Sequence, residues 1–223
     1  MVKNKTPHFK CFVIYYLMCL FILFPINSSW GNNILVLGGD SSVYQKNNTN
    51  IINIATPNEN GISHNKYQQF NVPEKGIILN NSKNTVKTQL AGDINGNNNL
   101  RKINAELIIN EVVGNSQSQL LGKLEVAGKP ANVVIANPNG ITCNGCGFIN
   151  IPALTLTTGK PFLGSDGQLS AIEVKKGTIT IGNKGMNAES PNYTDIISQA
   201  MMLNGQIKGK NVSLMHGNNR IDF

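Results

Sequence analysis

Asparagine and glycine limit what this chain can fold into: 34 Asn and 22 Gly are spread through its 223 residues. Both tolerate positive φ, so their excess implies frequent sharp reversals of the backbone. Charged residues make up only 14% of the chain and aromatics 6%. That balance excludes a long charged helix, a coiled coil or an acidic disordered tail, each of which needs far more Glu, Lys, Ala or Leu. Strands joined by many turns remain.

The segments between the turns fit strands. Short apolar or alternating runs recur at Ile34 to Leu37, Ile51 to Ile54, Gly76 to Leu79, Thr85 to Leu90, Glu106 to Val113, Lys123 to Ala127, Asn132 to Ala136, Ala153 to Thr157, Gln168 to Val174 and Thr178 to Ile181. Each is bounded by Gly, Asn, Pro or Asp, and helical periodicity is almost absent, so the chain reads as all-β. Several runs alternate between two glycines, as in Gly177-Thr178-Ile179-Thr180-Ile181-Gly182 and Gly205-Gln206-Ile207-Lys208-Gly209. Comparable runs in the C-terminal half lie about 20 to 28 residues apart, the coil length of a parallel β-helix, in which each repeat buries its face by stacking on the next. A sandwich or jelly roll also gives short strands at regular spacing, and periodicity alone leaves that alternative open.

Residues 1–31 read as a cleaved secretory signal peptide. Lys3, Lys5 and Lys10 form a basic leader, Cys11 to Phe24 is an apolar run of 14, and Pro25 to Gly31 is short, polar and rich in small residues. The apolar run is too short to span a bilayer, which takes about 20 residues. Small residues at Ser29 and Gly31 fit cleavage that starts the mature chain between Ser29 and Asn33. Removal takes three of the 19 basic residues and none of the 12 acidic ones, so the formal charge falls from +7 to +4. The remaining Lys and Arg are scattered, which argues against nucleic acid as a partner.

The ingredients of catalysis are sparse. The mature chain keeps two histidines, His64 and His216, and two cysteines, Cys143 and Cys146. One CxxC and two His 152 residues apart do not make a zinc site at recognised spacing, and no Gly-rich phosphate loop or Ser/His/Asp spacing occurs. The expectation is therefore no catalytic residue, no metal and no cofactor. Cys143 and Cys146 are expected to close a disulfide across the turn Cys143-Asn144-Gly145-Cys146, with Asn-Gly at its centre supplying positive φ. A ring this small adds about 2 kcal/mol at most, so the bridge should be dispensable for folding.

Two stretches carry a resemblance. Gly61-Ile62-Ser63-His64-Asn65-Lys66-Tyr67-Gln68-Gln69-Phe70-Asn71-Val72, followed by Gly76-Ile77-Ile78-Leu79-Asn80-Asn81-Ser82, resembles the opening of the two-partner secretion domain found at the N-terminus of filamentous-haemagglutinin-like adhesins and haemolysins. Asn137-Pro138-Asn139-Gly140-Ile141 looks like the NPNGI motif of that family, and the Cys pair that follows is similar to its haemolysin-like branch. With Ala91-Gly92-Asp93-Ile94 and Ile108 to Val113 also fitting, the likeness covers about residues 32–216. Where the family carries NPNL, this chain reads Asn97-Asn98-Asn99-Leu100, and the loss of Pro removes a fixed φ that would be expected to hold the turn.

The resemblance implies a right-handed parallel β-helix over residues 32–223, with an N-terminal cap and extra-helical strands. It implies an export role without enzymatic activity: a cognate outer-membrane transporter of a Gram-negative bacterium, with periplasmic binding domains, recognises the domain and sends a large exoprotein to the surface or medium. A host cell surface would then be met by a passenger outside this sequence. A stand-alone adhesive module is the alternative. Two roles stay open for Asn137 to Ile141 and Asn97 to Leu100: contact with the transporter, or shaping of the fold, since Asn-Pro-Asn-Gly is a strong turn in any protein.

Overall fold

A computed structural model describes residues 33–223; the leader read over residues 1–31 lies outside them. Alternating apolar side chains bury one side of each short run while a Gly or Asn corner turns the chain, so successive runs cannot pair as hairpins and instead wrap. One full coil is Lys123–Gly128, Asn132–Ala136 and Ile141–Cys143, and the next begins at Cys146–Ile149, 23 residues after the first began.

Repetition of this path makes three faces. The first face is a seven-stranded sheet: Ser42–Lys46, Thr49–Asn53, Ile77–Asn81, Lys123–Gly128, Cys146–Ile149, Met186–Ala188 and Ile207–Gly209. The second, also of seven strands, is Ile34–Val36, Ile62–Phe70, Leu107–Val112, Asn132–Ala136, Ala153–Thr157, Tyr193–Ser198 and Val212–His216. The third holds four: Ser118–Leu120, Ile141–Cys143, Thr178–Ile181 and Ala200–Leu203. Pairing between coils is parallel, with Leu79 beside Val126, Ile135 beside Leu156 and Ile141 beside Ile179. The chain is a parallel β-helix, and the sandwich alternative falls away.

Its two ends differ. At the N-terminal end Ile34–Val36 and Ser42–Lys46 pair antiparallel to the first coil and close it as a cap. In the last coils the inward column reaches solvent: Leu203, Val212 and Leu214 are 48%, 38% and 45% exposed.

Two hairpins lie outside the coils. Val86–Thr88 and Gly92–Ile94 cover the outer side of the first face, where Ala91 and Ile94 pack with Ile51, Ile78 and Ala127. The run Thr85 to Leu90 is therefore not one strand; it turns at Gln89 and Leu90. The buried carboxylate of Glu125 accepts hydrogen bonds from the Gln89 and Leu90 amides at 2.8 and 3.0 Å and seats that turn. The second hairpin, Lys160–Leu163 and Leu169–Val174, is joined by Asn219–Asp222 and covers the second face, where Leu169 packs against Ile62, Ile109 and Val134 and where Ile172 and Val174 meet Ile197. Asn58 and Asn60 donate to the Gly167 and Asp166 carbonyls at its tip, at 2.7 and 2.6 Å.

The asparagines are used differently from the expectation. Only Asn47, Asn48 and Asn150 take positive φ among the described non-glycine residues. Asn65, Asn80, Asn81, Asn97, Asn110 and Asn137 are buried, and their amides bridge backbone groups of neighbouring coils. A primary amide offers two donors and one acceptor, which suits a corner where carbonyls of two coils converge. Tyr67, wholly buried against Phe70, donates to Asn110 Oδ1 at 3.1 Å, and burial pushes its hydroxyl pKa up so that it stays a donor.

Candidate functional site

The motif Asn137 to Ile141 forms the corner between the second and third faces. Asn137 is fully buried, because its backbone closes both a ladder and a turn: its N–H donates to Thr157 O at 2.9 Å and its carbonyl accepts from Gly140 N at 3.0 Å. Its side chain points inward. Nδ2 donates to Ser116 O at 3.0 Å and Ser118 Oγ at 2.9 Å on the preceding coil, while Oδ1 accepts from Asn139 N at 3.0 Å. Asn139 donates from Nδ2 to Gly114 O at 2.7 Å. Gly140 has φ 117, and an added Cβ would meet Thr178 O at 2.9 Å. Pro138 and Asn139 are half-buried, and Ile141 sits in the core.

The turn at Asn97 to Leu100 repeats this arrangement. Asn97 is buried, Nδ2 donates to Ile54 O at 2.9 Å and Asn80 O at 3.1 Å, and Oδ1 accepts from Asn99 N at 3.0 Å. Leu100 N donates to Asn97 O at 3.1 Å, and Asn99 Nδ2 reaches Asp40 O at 2.8 Å and Ile54 O at 3.0 Å. The cap loop is thereby tied to the first coil. Asn98 is exposed in a single 3-10 turn, so the loss of proline there leaves the turn closed: the buried Asn97 amide supplies what the ring would have fixed. Sequence had marked both motifs, but their common plan, a buried Asn bridging two coils with a second Asn two residues on, appears only in three dimensions.

Cys143 and Cys146 are joined by a disulfide, with Cα atoms 5.4 Å apart. Both lie in the core at the corner between the third and first faces. The positive φ expected at Asn144 and Gly145 is taken by Gly145 alone, at 89°; Asn144 instead accepts from Lys184 N at 2.9 Å, linking to the next coil. Because both sulfurs are buried, Ser replacements would add two hydroxyls to an apolar core, so Ala is the cleaner substitution. The Cys143→Ala, Cys146→Ala double variant is expected to fold with a melting temperature lower by about 4 to 8 °C, from the roughly 2 kcal/mol of a short ring. Free thiols in the native wild type, or an unfolded double variant, would contradict it.

His64 lies on the outer side of Ile62–Phe70, its Nε2 2.8 Å from Oε2 of the buried Glu111. Its strand belongs to a different sheet from those of the cysteines, and among the described residues no group of three or more His, Cys, Asp or Glu is placed to hold a metal.

Residues 33–223 match the family model described as TPS secretion domain. The crystal structure of the filamentous hemagglutinin secretion domain superposes with a TM-score of 0.79 at 38% identity, over 85% of this chain and 65% of that one. Curated relatives include the 16S rRNA endonuclease CdiA of Enterobacter cloacae, 50% identical over 78% of this chain, and the tRNA nuclease CdiA of Yersinia mollaretii, 44% identical over 94%. The chain spans only 5% and 7% of the length of those two relatives. The chain belongs to the TPS secretion domain family. Membership carries a role as secretion-signal domain.

Proposed function

We propose that residues 33–223 are the export address of a large exoprotein, recognised in extended form by periplasmic binding domains of the cognate transporter and folded into the β-helix once outside. The observation that carries this reading is the match to the TPS secretion domain from one end of the described chain to the other. In this reading the leader takes the chain to the periplasm, a strand of the receptor pairs edge to edge with an extended segment, and main-chain hydrogen bonds supply affinity while alternate side chains supply specificity. The domain itself does no chemistry. The nuclease names belong to relatives of which this chain matches a small part, and a toxin, haemolysin or adhesin activity, with any host-surface contact, would reside in the passenger.

Asn137 to Ile141 and Asn97 to Leu100 serve this function by shape. Both leading asparagines are buried and spend their amides on neighbouring coils, which leaves little of either side chain for a partner. The test is release from cells with and without the transporter. Transporter-dependent release of a protein whose N-terminus falls between Ser29 and Asn33 is the expected result; equal release without the transporter would overturn the reading.

A further inference from the structure

A strand of a β-helix ordinarily shows apolar residues inward and polar residues outward. The two central strands of the third face obey this rule, with Ile141, Cys143, Ile179 and Ile181 inward and Thr142 and Thr180 outward between them. Several strands of the other two faces do not. In Ile77–Asn81, Ile77 and Leu79 join the central core while Ile78, between them, is fully buried on the outside under the first hairpin. In Leu107–Val112, Ile108 and Val112 point inward and Ile109 is fully buried outward, in the cluster that includes Leu169 of the second hairpin.

The order of the chain gives these outward side chains a period without cover. Ile78 precedes the hairpin at Val86–Ile94, and Ile109 precedes Leu169 by 60 residues. An extended segment added to a receptor sheet can be buried on both sides, and each Ile so covered contributes about 1.5 to 3 kcal/mol. A segment with Thr on one side gains from only one.

We propose that the transporter's periplasmic domains hold the unfolded chain at Ile77–Asn81 and Leu107–Val112, two strands whose outward Ile is wholly buried and covered by a hairpin that follows in the chain, and that the two hairpins later cover the same outward side chains. This rests on the export reading and names where recognition occurs. It makes Ile78 and Ile109 specificity residues for the transporter, and the hairpins the elements that complete release by occupying their seats. The handover is directional, because the cover arrives from sequence that emerges afterwards.

The test uses the full chain. A photocrosslinking phenylalanine at position 78, 109, 142 or 180, one per chain, is activated during export. Adducts with the periplasmic domains are expected from 78 and 109 at about ten times the yield from 142 and 180, the ratio given by one buried Ile. In a second arm, the Ile78→Thr, Ile109→Thr chain is diluted from urea onto immobilised periplasmic domains and read before it folds, so native stability plays no part. Association about a hundredfold weaker than wild type is expected, tenfold for each Ile, with Ile179→Thr as a one-sided control of smaller effect. Equal adducts at all four positions, or wild-type association of the double variant, would overturn the inference while leaving the export reading intact. Transporter-independent release would instead remove the export reading itself.

Discussion

An Asn137→Ala variant is expected to melt about 6 to 12 °C below the wild type and to be poorly released by the transporter. The change deletes two donated bonds to the preceding coil and two accepted from Asn139. At about 1 kcal/mol each, less partial relaxation, the loss is roughly 3 kcal/mol, and for a domain of this size each kcal/mol shifts the melting temperature by about 2 to 4 °C. Asn139→Ala should cost less, since its bond to Gly114 O is made at a half-buried position. Melting and transporter binding are read on the same preparations. A variant that melts like wild type yet fails to bind would move the motif from shaping the fold to touching the partner, and wild-type release would remove it from the address altogether.

Gly114→Ala is expected to be more damaging still, leaving no folded protein at ordinary temperature. Gly114 lies where the second coil leaves its second-face strand, and a Cβ there would sit on the backbone carbonyl of Gln68 in the coil beneath. Backbone on both sides cannot give way, and its own carbonyl is the acceptor for Asn139, so a shift would open the neighbouring motif as well. Gly92→Ala is the matched control. It has φ 69 and open space around the added carbon, so it carries only the left-handed strain of roughly 1 to 2 kcal/mol. Circular dichroism and thermal melting of the pair separate close approach of coils from backbone freedom; equal behaviour of the two variants would reject the steric account.

The class of fold is legible in the run of short strands, and the two Asn turns in their residue strings, because both are properties of neighbouring residues. Several elements are not. Ser42–Lys46 carries no strand signal of its own, because Ser-Val-Tyr-Gln-Lys has few apolar residues and becomes a strand only by pairing with Thr49–Asn53. Tyr193–Ser198 and Ala200–Leu203 follow one another with only Gln199 between them, so no Gly, Asn or Pro marks the boundary, although they belong to different faces. The hairpins' places on the outer faces were invisible, since Ile78 and Ile109 look like core residues in any strand. Asparagine was read as a residue of positive φ, a local preference, whereas most buried Asn here satisfy carbonyls on adjacent coils, a need that arises only when coils stack. The two Asn turns are thus visible as strings in the sequence, while their shared geometry is not.

The contrast between the closed first coil and the open last one gives the stack a polarity. Further backbone can be added only at the end bearing Ala200–Leu203, Ile207–Gly209 and Val212–His216, because the other end is blocked by antiparallel strands. A polymer that grows at one end and is plugged at the other rectifies thermal motion: a chain diffusing back and forth through a pore loses its backward steps whenever a newly emerged segment is captured on the growing end. Burial of even a few aliphatic side chains per coil exceeds thermal energy several-fold before chain entropy is subtracted. If export proceeds as proposed above, capture of each new coil on the open end is the pawl of a ratchet, and the cap fixes the end from which it runs.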